Sequence, residues 1–200
     1  VLPIVAPKLE LTKYFNDPVL DGRLKVSGDA SVLTRKLGTD YTRATAALDW
    51  EKTAILPGGI EATPFGKARY DYFKINPDDA PETDFSRTLG HVGADIRWPF
   101  IKAGKNVSFV VEPRAMVTQS FGDGKNANFT AIDSNANTVS LYQDSLGIDL
   151  DTPLFWARNK STGYDFWQKG LRADVGGSAT ALWGDNRSSL FVGRSFVSDY

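Results

Sequence analysis

Residues 167–183 read WQKGLRADVGGSATALW, and the alternation in them is the clearest indication of the fold class. Every second position from Leu171 through Val175 to Trp183 is apolar or small, and polar or charged side chains fill most positions between them. A period of two places successive side chains on opposite faces of an extended strand. Soluble strands average about 5–6 residues, whereas a tilted strand that crosses a membrane needs about 9–11. The stretch therefore predicts a long strand with one apolar face.

The same period recurs in windows that begin at residues 24, 44, 60 and 92. Their apolar or small positions are Leu24, Val26, Gly28, Ala30, Val32, Ala44, Ala46, Leu48, Trp50, Ile60, Ala62, Gly66, Ala68, Tyr70, Tyr72, Val92, Ala94, Ile96 and Trp98. Aromatic residues end these rows, as in the interfacial girdles of membrane barrels. They are Trp50, Tyr70, Tyr72, Trp98, Trp167 and Trp183. We predict an all-β fold, a segment of an antiparallel transmembrane β-barrel.

Connections between the windows differ in length. Compact turns are expected at residues 56–59, 103–106 and 184–187, and long polar loops at about 76–87 and 122–166. Counting strands in order puts the turns on one side and the loops on the other, if the second loop contains an even number of short strands. Short inner turns and long outer loops are typical of outer-membrane barrels. We treat residues 1–200 as a single barrel segment, with a soluble all-β fold as the alternative.

The amino-acid composition excludes some classes of function. The chain has 23 basic and 24 acidic side chains, which gives no indication of nucleic-acid binding. It has no cysteine and only one histidine, His91, so thiolate chemistry is excluded in these residues. The sequence contains no run of about 20 apolar residues, so no helical membrane span is predicted. The chain opens without a basic and apolar leader, so we expect a processed protein or an excerpt from a longer one.

No catalytic or metal-binding residues and no cofactor are predicted. His91 begins a strand window, and we interpret it as an ordinary structural residue. Acidic clusters occur at residues 78–84 and 144–151, where paired carboxylates could serve a glycosidase or bind calcium. The first contains two prolines and lacks the spacing of a calcium loop, so we favour solvated loops.

Charged side chains on the polar face of the strands are candidates to face the barrel lumen. They are Lys25, Arg43, Asp49, Lys67, Arg69, Asp95, Arg97 and Asp174. The cations could bind phosphorylated sugars through charge-assisted hydrogen bonds. They could instead pair with aspartates of neighbouring strands, namely Asp29, Asp49, Asp71, Asp95 and Asp174. Both interpretations remain open, and we favour pairing.

Residues 143–172 carry a motif made of Asp144, Ser145, Asp149, Asp151, Leu154, Phe155, Gly163, Tyr164, Asp165, Gly170 and Arg172. This motif resembles the late barrel of the LptD (OstA) family, which assembles lipopolysaccharide (LPS) in the outer membrane. Looser similarity extends to earlier segments such as residues 97–100 and 111–113. The chain departs from the family pattern at Gln143, Pro153, Phe166 and Gln168.

The resemblance implies the middle and later part of a large barrel in the outer membrane of a Gram-negative bacterium. It implies transport rather than enzymatic activity, with LPS and membrane lipid as partners. It also implies an LptE-like lipoprotein and an LptA-like periplasmic bridge as protein partners. The chain would supply barrel wall and outer loops. Two alternatives stay open: another outer-membrane barrel, such as a porin, an adhesin or a small closed barrel, and a soluble all-β carbohydrate-binding protein or hydrolase.

Overall fold

The computed structural model describes residues 4–34, 40–76, 78, 81–122, 130–132, 138–140, 152–160 and 167–198. These residues form twelve strands and one helical turn. In chain order they are β1 (Ile4–Asn16), β2 (Arg23–Thr34), β3 (Asp40–Glu51), β4 (Ala54–Leu56), β5 (Ile60–Asn76), β6 (Thr83–Arg97), β7 (Phe100–Lys102), β8 (Ser108–Gly122), β9 (Thr130–Ile132), β10 (Thr138–Ser140), α1 (Thr152–Phe155), β11 (Gly170–Trp183) and β12 (Asn186–Val197). In the part of the chain that the structure describes, no helix has the length and apolar character needed to cross a membrane.

One antiparallel sheet contains ten of these strands. Its order is β1-β2-β3-β5-β6-β8-β11-β12, with β4 also paired to β5 and β7 to β8. Long strands that follow each other along the chain are neighbours in the sheet, and β1 and β12 form its two edges. The short strands β9 and β10 pair only with each other within the described residues. The prediction of an all-β, antiparallel fold is confirmed.

Two of the strand pairings in the sheet are interrupted opposite proline residues. β3 and β4 both pair with β5, and the break between them lies opposite Pro64. There the backbone N–H of Lys52 donates to the Pro64 carbonyl at 3.2 Å. Between β6 and β7, the N–H of Trp98 donates to the Pro113 carbonyl of β8 at 3.0 Å. Proline has no backbone N–H and cannot donate a hydrogen bond to the neighbouring strand, so at these positions only its carbonyl takes part in strand pairing.

The two faces of the sheet differ sharply in chemistry. The apolar face carries the alternating residues predicted from the sequence, and Leu48 and Val175 on it are 49 % and 50 % exposed. The opposite face, which we call the charged face, carries residues such as Asp71 and Asp174, which are fully buried. A soluble sandwich would bury its apolar side chains between two stacked sheets. The exposed apolar face contradicts that alternative.

Connections leave the sheet from both of its ends, and their lengths overlap: residues 17–22 join β1 to β2, and residues 35–39 join β2 to β3. The turns after β1, β4, β7 and β11 leave from one end of the sheet, the turn end, and the connections after β2, β5 and β8 leave from the other, the loop end. Gly184 has φ 53° in the two-residue turn between β11 and β12. Type II′ hairpin turns take glycine at this first position. The three predicted compact turns therefore leave from the same end of the sheet, whereas connection length alone does not separate the two ends.

One predicted loop is shorter than the sequence indicates. The expectation was a loop over about residues 76–87, but β6 begins at Thr83 and pairs there with Ile75 of β5. The rings of Phe73 and Phe85 stack at 4.8 Å across the two strands, which extends the ladder toward the loop end. Within the second predicted loop, about 122–166, lie β9, β10 and α1.

Candidate functional site

All eight charged candidates lie on the charged face of the sheet. Arg43, Arg69, Asp95 and Asp174 are buried there, whereas Lys25, Asp49, Lys67 and Arg97 are half-buried. Alternation puts them there, because each occupies a strand position between two residues of the apolar face. Whether this face lines a lumen stays a prediction.

Asp71 of β5 is the centre of one buried ion cluster. Its Oδ2 accepts hydrogen bonds from Arg69 Nη2 at 2.8 Å and from Arg87 Nε at 2.9 Å. Its Oδ1 is also buried and has no hydrogen-bond partner among the described residues. The Arg87 guanidinium lies 5.3 Å from the centroid of the Phe73 ring. The prediction from the sequence did not include Arg87 as a site residue, because Arg87 fell within the loop predicted over about residues 76–87.

Asp174 of β11 is the centre of a second buried cluster. Its Oδ2 accepts from Arg172 Nε at 2.9 Å, and its Oδ1 accepts from Lys160 Nζ at 2.9 Å. Both carboxylate oxygens therefore contact a cation. Burying a carboxylate is favourable only when it is paired in this way, so the two cations hold Asp174 in place.

Other carboxylates of the charged face also form ion pairs with cations. Distances of 2.9–3.0 Å join Arg43 to Asp29, Lys67 to Asp49 and Arg97 to Glu61. Arg114 Nε donates to Asp95 at 2.9 Å. Each of the five aspartates contacts a cation, but only Asp29, Asp49, Asp71 and Asp95 take one from a neighbouring strand, as the pairing interpretation expects. Asp71 and Asp174 take one partner from their own strand, two residues away. The second partner of Asp174, Lys160, lies outside the strands.

Residues 152–160 together with Trp167 lie over the charged face, and we call them the cover segment. Phe155 is buried, and its ring makes edge contacts with Trp156 at 4.8 Å and with Phe191 of β12 at 5.1 Å. Gly193 of β12 faces this ring, and a Cβ at Gly193 would lie 2.7 Å from it. Glycine on the charged face therefore makes room for the cover segment.

Three basic side chains attach the cover segment to the sheet. Arg158 Nη2 donates to Glu51 Oε2 of β3 at 2.6 Å, and its guanidinium lies 4.2 Å from the centroid of Phe65 of β5. Lys160 contacts Asp174, as described above. Arg172 Nη2 donates back to the carbonyls of residues 157 and 158 at 2.8 and 3.0 Å. The cover segment thus reaches from β3 to β12.

Trp167 corrects one prediction from the sequence. It was expected at the end of the apolar face, but it is 5 % exposed and stacks on His91 at 5.7 Å on the charged face. Its Nε1 donates to the Phe121 carbonyl at 3.2 Å. β11 begins at Gly170, which has φ 97°, so residues 167–169 are not part of the alternating strand. His91 is buried between Trp167 and the edge of Phe65, which supports a structural role.

Four residues of the family motif are described. Leu154 and Phe155 belong to α1, Gly170 begins β11, and Arg172 joins both the Asp174 cluster and the cover segment. The remaining motif residues lie outside the described part of the chain: Asp144, Ser145, Asp149, Asp151, Gly163, Tyr164 and Asp165. The sequence missed Trp156, Arg158 and Lys160 as site residues, although the aromatic and basic run FWARNK at 155–160 marks them.

Near the turn end, the charged face opens into a cavity of about 230 Å³. It is lined by Tyr14, Arg23, Lys25, Asp49, Trp50, Glu51 and Arg158. Glu51 accepts from Arg23 as well as from Arg158. Among the described residues, no group of three or more histidine, aspartate or glutamate side chains is arranged to hold a metal ion.

The whole chain matches a known family of proteins. A protein-family model described as LptD, LPS transport system D, matches residues 1–200. No curated protein matches the chain. The family match spans the whole sheet and the cover segment.

Proposed function

The chain belongs to the LptD family of LPS transport proteins, and from this membership we propose that it forms part of the translocon that inserts LPS into the outer leaflet. The family consists of β-barrels of the Gram-negative outer membrane, and this chain is an antiparallel segment of such a barrel. We propose that the segment supplies barrel wall and, through residues that follow β8, outer loop.

The observation that carries this proposal is the difference between the two faces of one sheet. LPS has acyl chains and charged sugars, so its transfer needs a hydrocarbon-facing surface and a polar route side by side. The apolar face exposes Leu48, Val92 and Val175, as a surface bathed in lipid would. The buried charges of the charged face are already paired, which keeps a polar wall in register without an unpaired buried ion.

Transport of this kind breaks no covalent bond. We therefore propose that the charged residues act by positioning and by electrostatic contact, not by catalysis. An LptE-like lipoprotein and an LptA-like periplasmic bridge are proposed as protein partners, on the resemblance to the family alone. We assign the cover segment to the barrel interior, because its basic side chains contact carboxylates of the charged face at 2.6 and 2.9 Å.

Site-specific photocrosslinking tests the transport proposal. Lys25 and Val26 are neighbours in β2 that lie on the charged and the apolar face. A photoreactive residue replaces each one in turn in the full-length protein in living cells. We expect LPS adducts at residue 25 that disappear when the supply of new LPS is stopped, because only LPS in transit would reach that face. Lipid adducts at residue 26 should persist, because this residue would contact lipid that is already in the membrane.

The same experiment separates the rival functions. A porin or adhesin would give no supply-dependent adduct at residue 25, and that result would contradict the transport proposal. The family match already favours transport over these rivals.

A further inference from the structure

We propose that the turn-end cavity binds a phosphate monoester carried on a sugar, with Arg23, Lys25 and Arg158 as its ligands. The inference rests on the proposed function, because it names the chemical group of the transported molecule that the charged face recognises.

Solvent access to its cations distinguishes this cavity from the buried clusters of the charged face. Around Asp71 and Asp174 the cations are buried against their carboxylates. The lining of the cavity has three cations (Arg23, Lys25 and Arg158) and two carboxylates (Asp49 and Glu51), and Asp49 is paired with Lys67 outside the lining. The excess of positive charge attracts an anion, and the partly enclosed position strengthens that attraction relative to open water.

Hydrogen-bond donors remain available at this point. Arg23 and Arg158 each use Nη2 to contact Glu51, and an arginine side chain has five N–H donors. Within the described residues, Lys25 makes no ion pair. Its direct strand neighbour Asp49 is joined instead to Lys67, at 3.0 Å. Two guanidinium groups and one ammonium group thus share a cavity with donors to spare.

The donor set favours phosphate. A guanidinium group presents two parallel N–H donors that match a phosphate, and a phosphate can accept from several such donors at once. A volume of about 230 Å³ suits one sugar phosphate and is too small for a whole glycolipid. The exposed Tyr14 ring, 5.8 Å from the Arg23 guanidinium, borders the space where the sugar would lie.

The basic residues of the cavity come from two parts of the molecule. Arg23 and Lys25 belong to β2, and Arg158 belongs to the cover segment. A bound phosphate would contact both, so it would compete with Glu51 for Arg158 and connect the sheet directly to the cover segment.

Binding to the purified full-length protein in detergent micelles tests this site. The probes are LPS with its phosphates, the same LPS after enzymatic dephosphorylation, and glucosamine 1-phosphate. We expect Lys25→Gln and Arg158→Gln each to weaken binding of phosphorylated LPS about tenfold, since each removes a charge-assisted hydrogen bond. Dephosphorylated LPS should bind wild type and both variants equally. Lys105→Gln, an equal loss of charge in an exposed turn, should leave all affinities unchanged.

The outcomes separate the two proposals. If phosphorylated and dephosphorylated LPS bind equally well to every variant, the phosphate site is overturned and the transport function stands. If glucosamine 1-phosphate binds with the expected variant pattern but neither LPS form binds, the site is supported with free sugar phosphate as its ligand, and the transport function is overturned. If no probe binds, both fail. The shift in gel mobility on heating, which reports a folded barrel, confirms that each variant has folded.

Discussion

Two carboxylates attach the cover segment to the sheet, and each accepts from one cation of the cover segment and one of the sheet. Asp174 binds Lys160 and Arg172, and the Asp174 side chain is 0 % exposed. Glu51 binds Arg158 and Arg23, and the Glu51 side chain is 25 % exposed. Each cluster places one carboxylate between two cations, but water reaches only the second.

This difference in solvation sets what each attachment can do. Removing one partner from a buried ion pair leaves an uncompensated charge, which costs about 3–5 kcal/mol. Exposed pairs contribute about 0–1 kcal/mol and weaken with salt. The Asp174 cluster is therefore a permanent anchor, whereas the Glu51 cluster can exchange partners. The cover segment is fixed near β11 and β12 and releasable near β3.

Asp174→Asn should produce the largest effect. The change keeps the shape of the side chain but leaves Lys160 and Arg172 without a negative partner, so we expect the free energy of unfolding to fall by about 3–5 kcal/mol. Urea unfolding of the full-length protein refolded into lipid vesicles measures it. A loss below about 1 kcal/mol would mean that water reaches this cluster after all.

Gly193→Ala should produce an intermediate effect at the same anchor. The added Cβ would lie 2.7 Å from the Phe155 ring, so the cover segment must shift, at a cost of about 1–3 kcal/mol. Gly28→Ala is the matched control, because its Cβ would meet only the Thr45 carbonyl, at 3.8 Å. We expect protease sensitivity near residue 155 to rise in the first variant only. Equal sensitivity in both would show that Phe155 does not depend on the space at Gly193.

Glu51→Gln should produce the smallest effect on stability. Its two arginine partners are partly exposed, so we expect a loss of about 0–1 kcal/mol that vanishes in high salt. The same urea titration, run at low and high salt, measures it. A salt-independent loss as large as that of Asp174→Asn would remove the distinction between the two attachments.

Sequence reasoning predicted the faces of the sheet because a period of two is a local property. Each strand position fixes the face of its side chain, so Lys25 and Asp174 could be assigned without knowing the strand order. Trp167 was misplaced because the run of alternating residues was extended past Gly170, where the backbone turns at φ 97°.

The cover segment could not be predicted in the same way. Arg158 contacts Glu51 across 107 residues of sequence, and no local period carries that information. A basic, aromatic segment between strands is equally compatible with a solvated loop. The exposed cavity escaped prediction for the same reason, since it is formed jointly by β1, β2, β3 and the cover segment.

The transport proposal requires that hydrocarbon contacts the apolar face while the charged face stays polar. Spin labels at residues 48 and 25 test it directly, in full-length protein in lipid vesicles with any other cysteine removed. The two sites lie at nearly the same height, since Leu48 pairs with Val26 and Lys25 pairs with Asp49. We predict that the label at 48 collides mainly with oxygen, which concentrates in lipid, and the label at 25 mainly with a water-soluble nickel chelate. Strong nickel collisions at residue 48, or a label there shielded from both reagents, would show that hydrocarbon does not contact the apolar face.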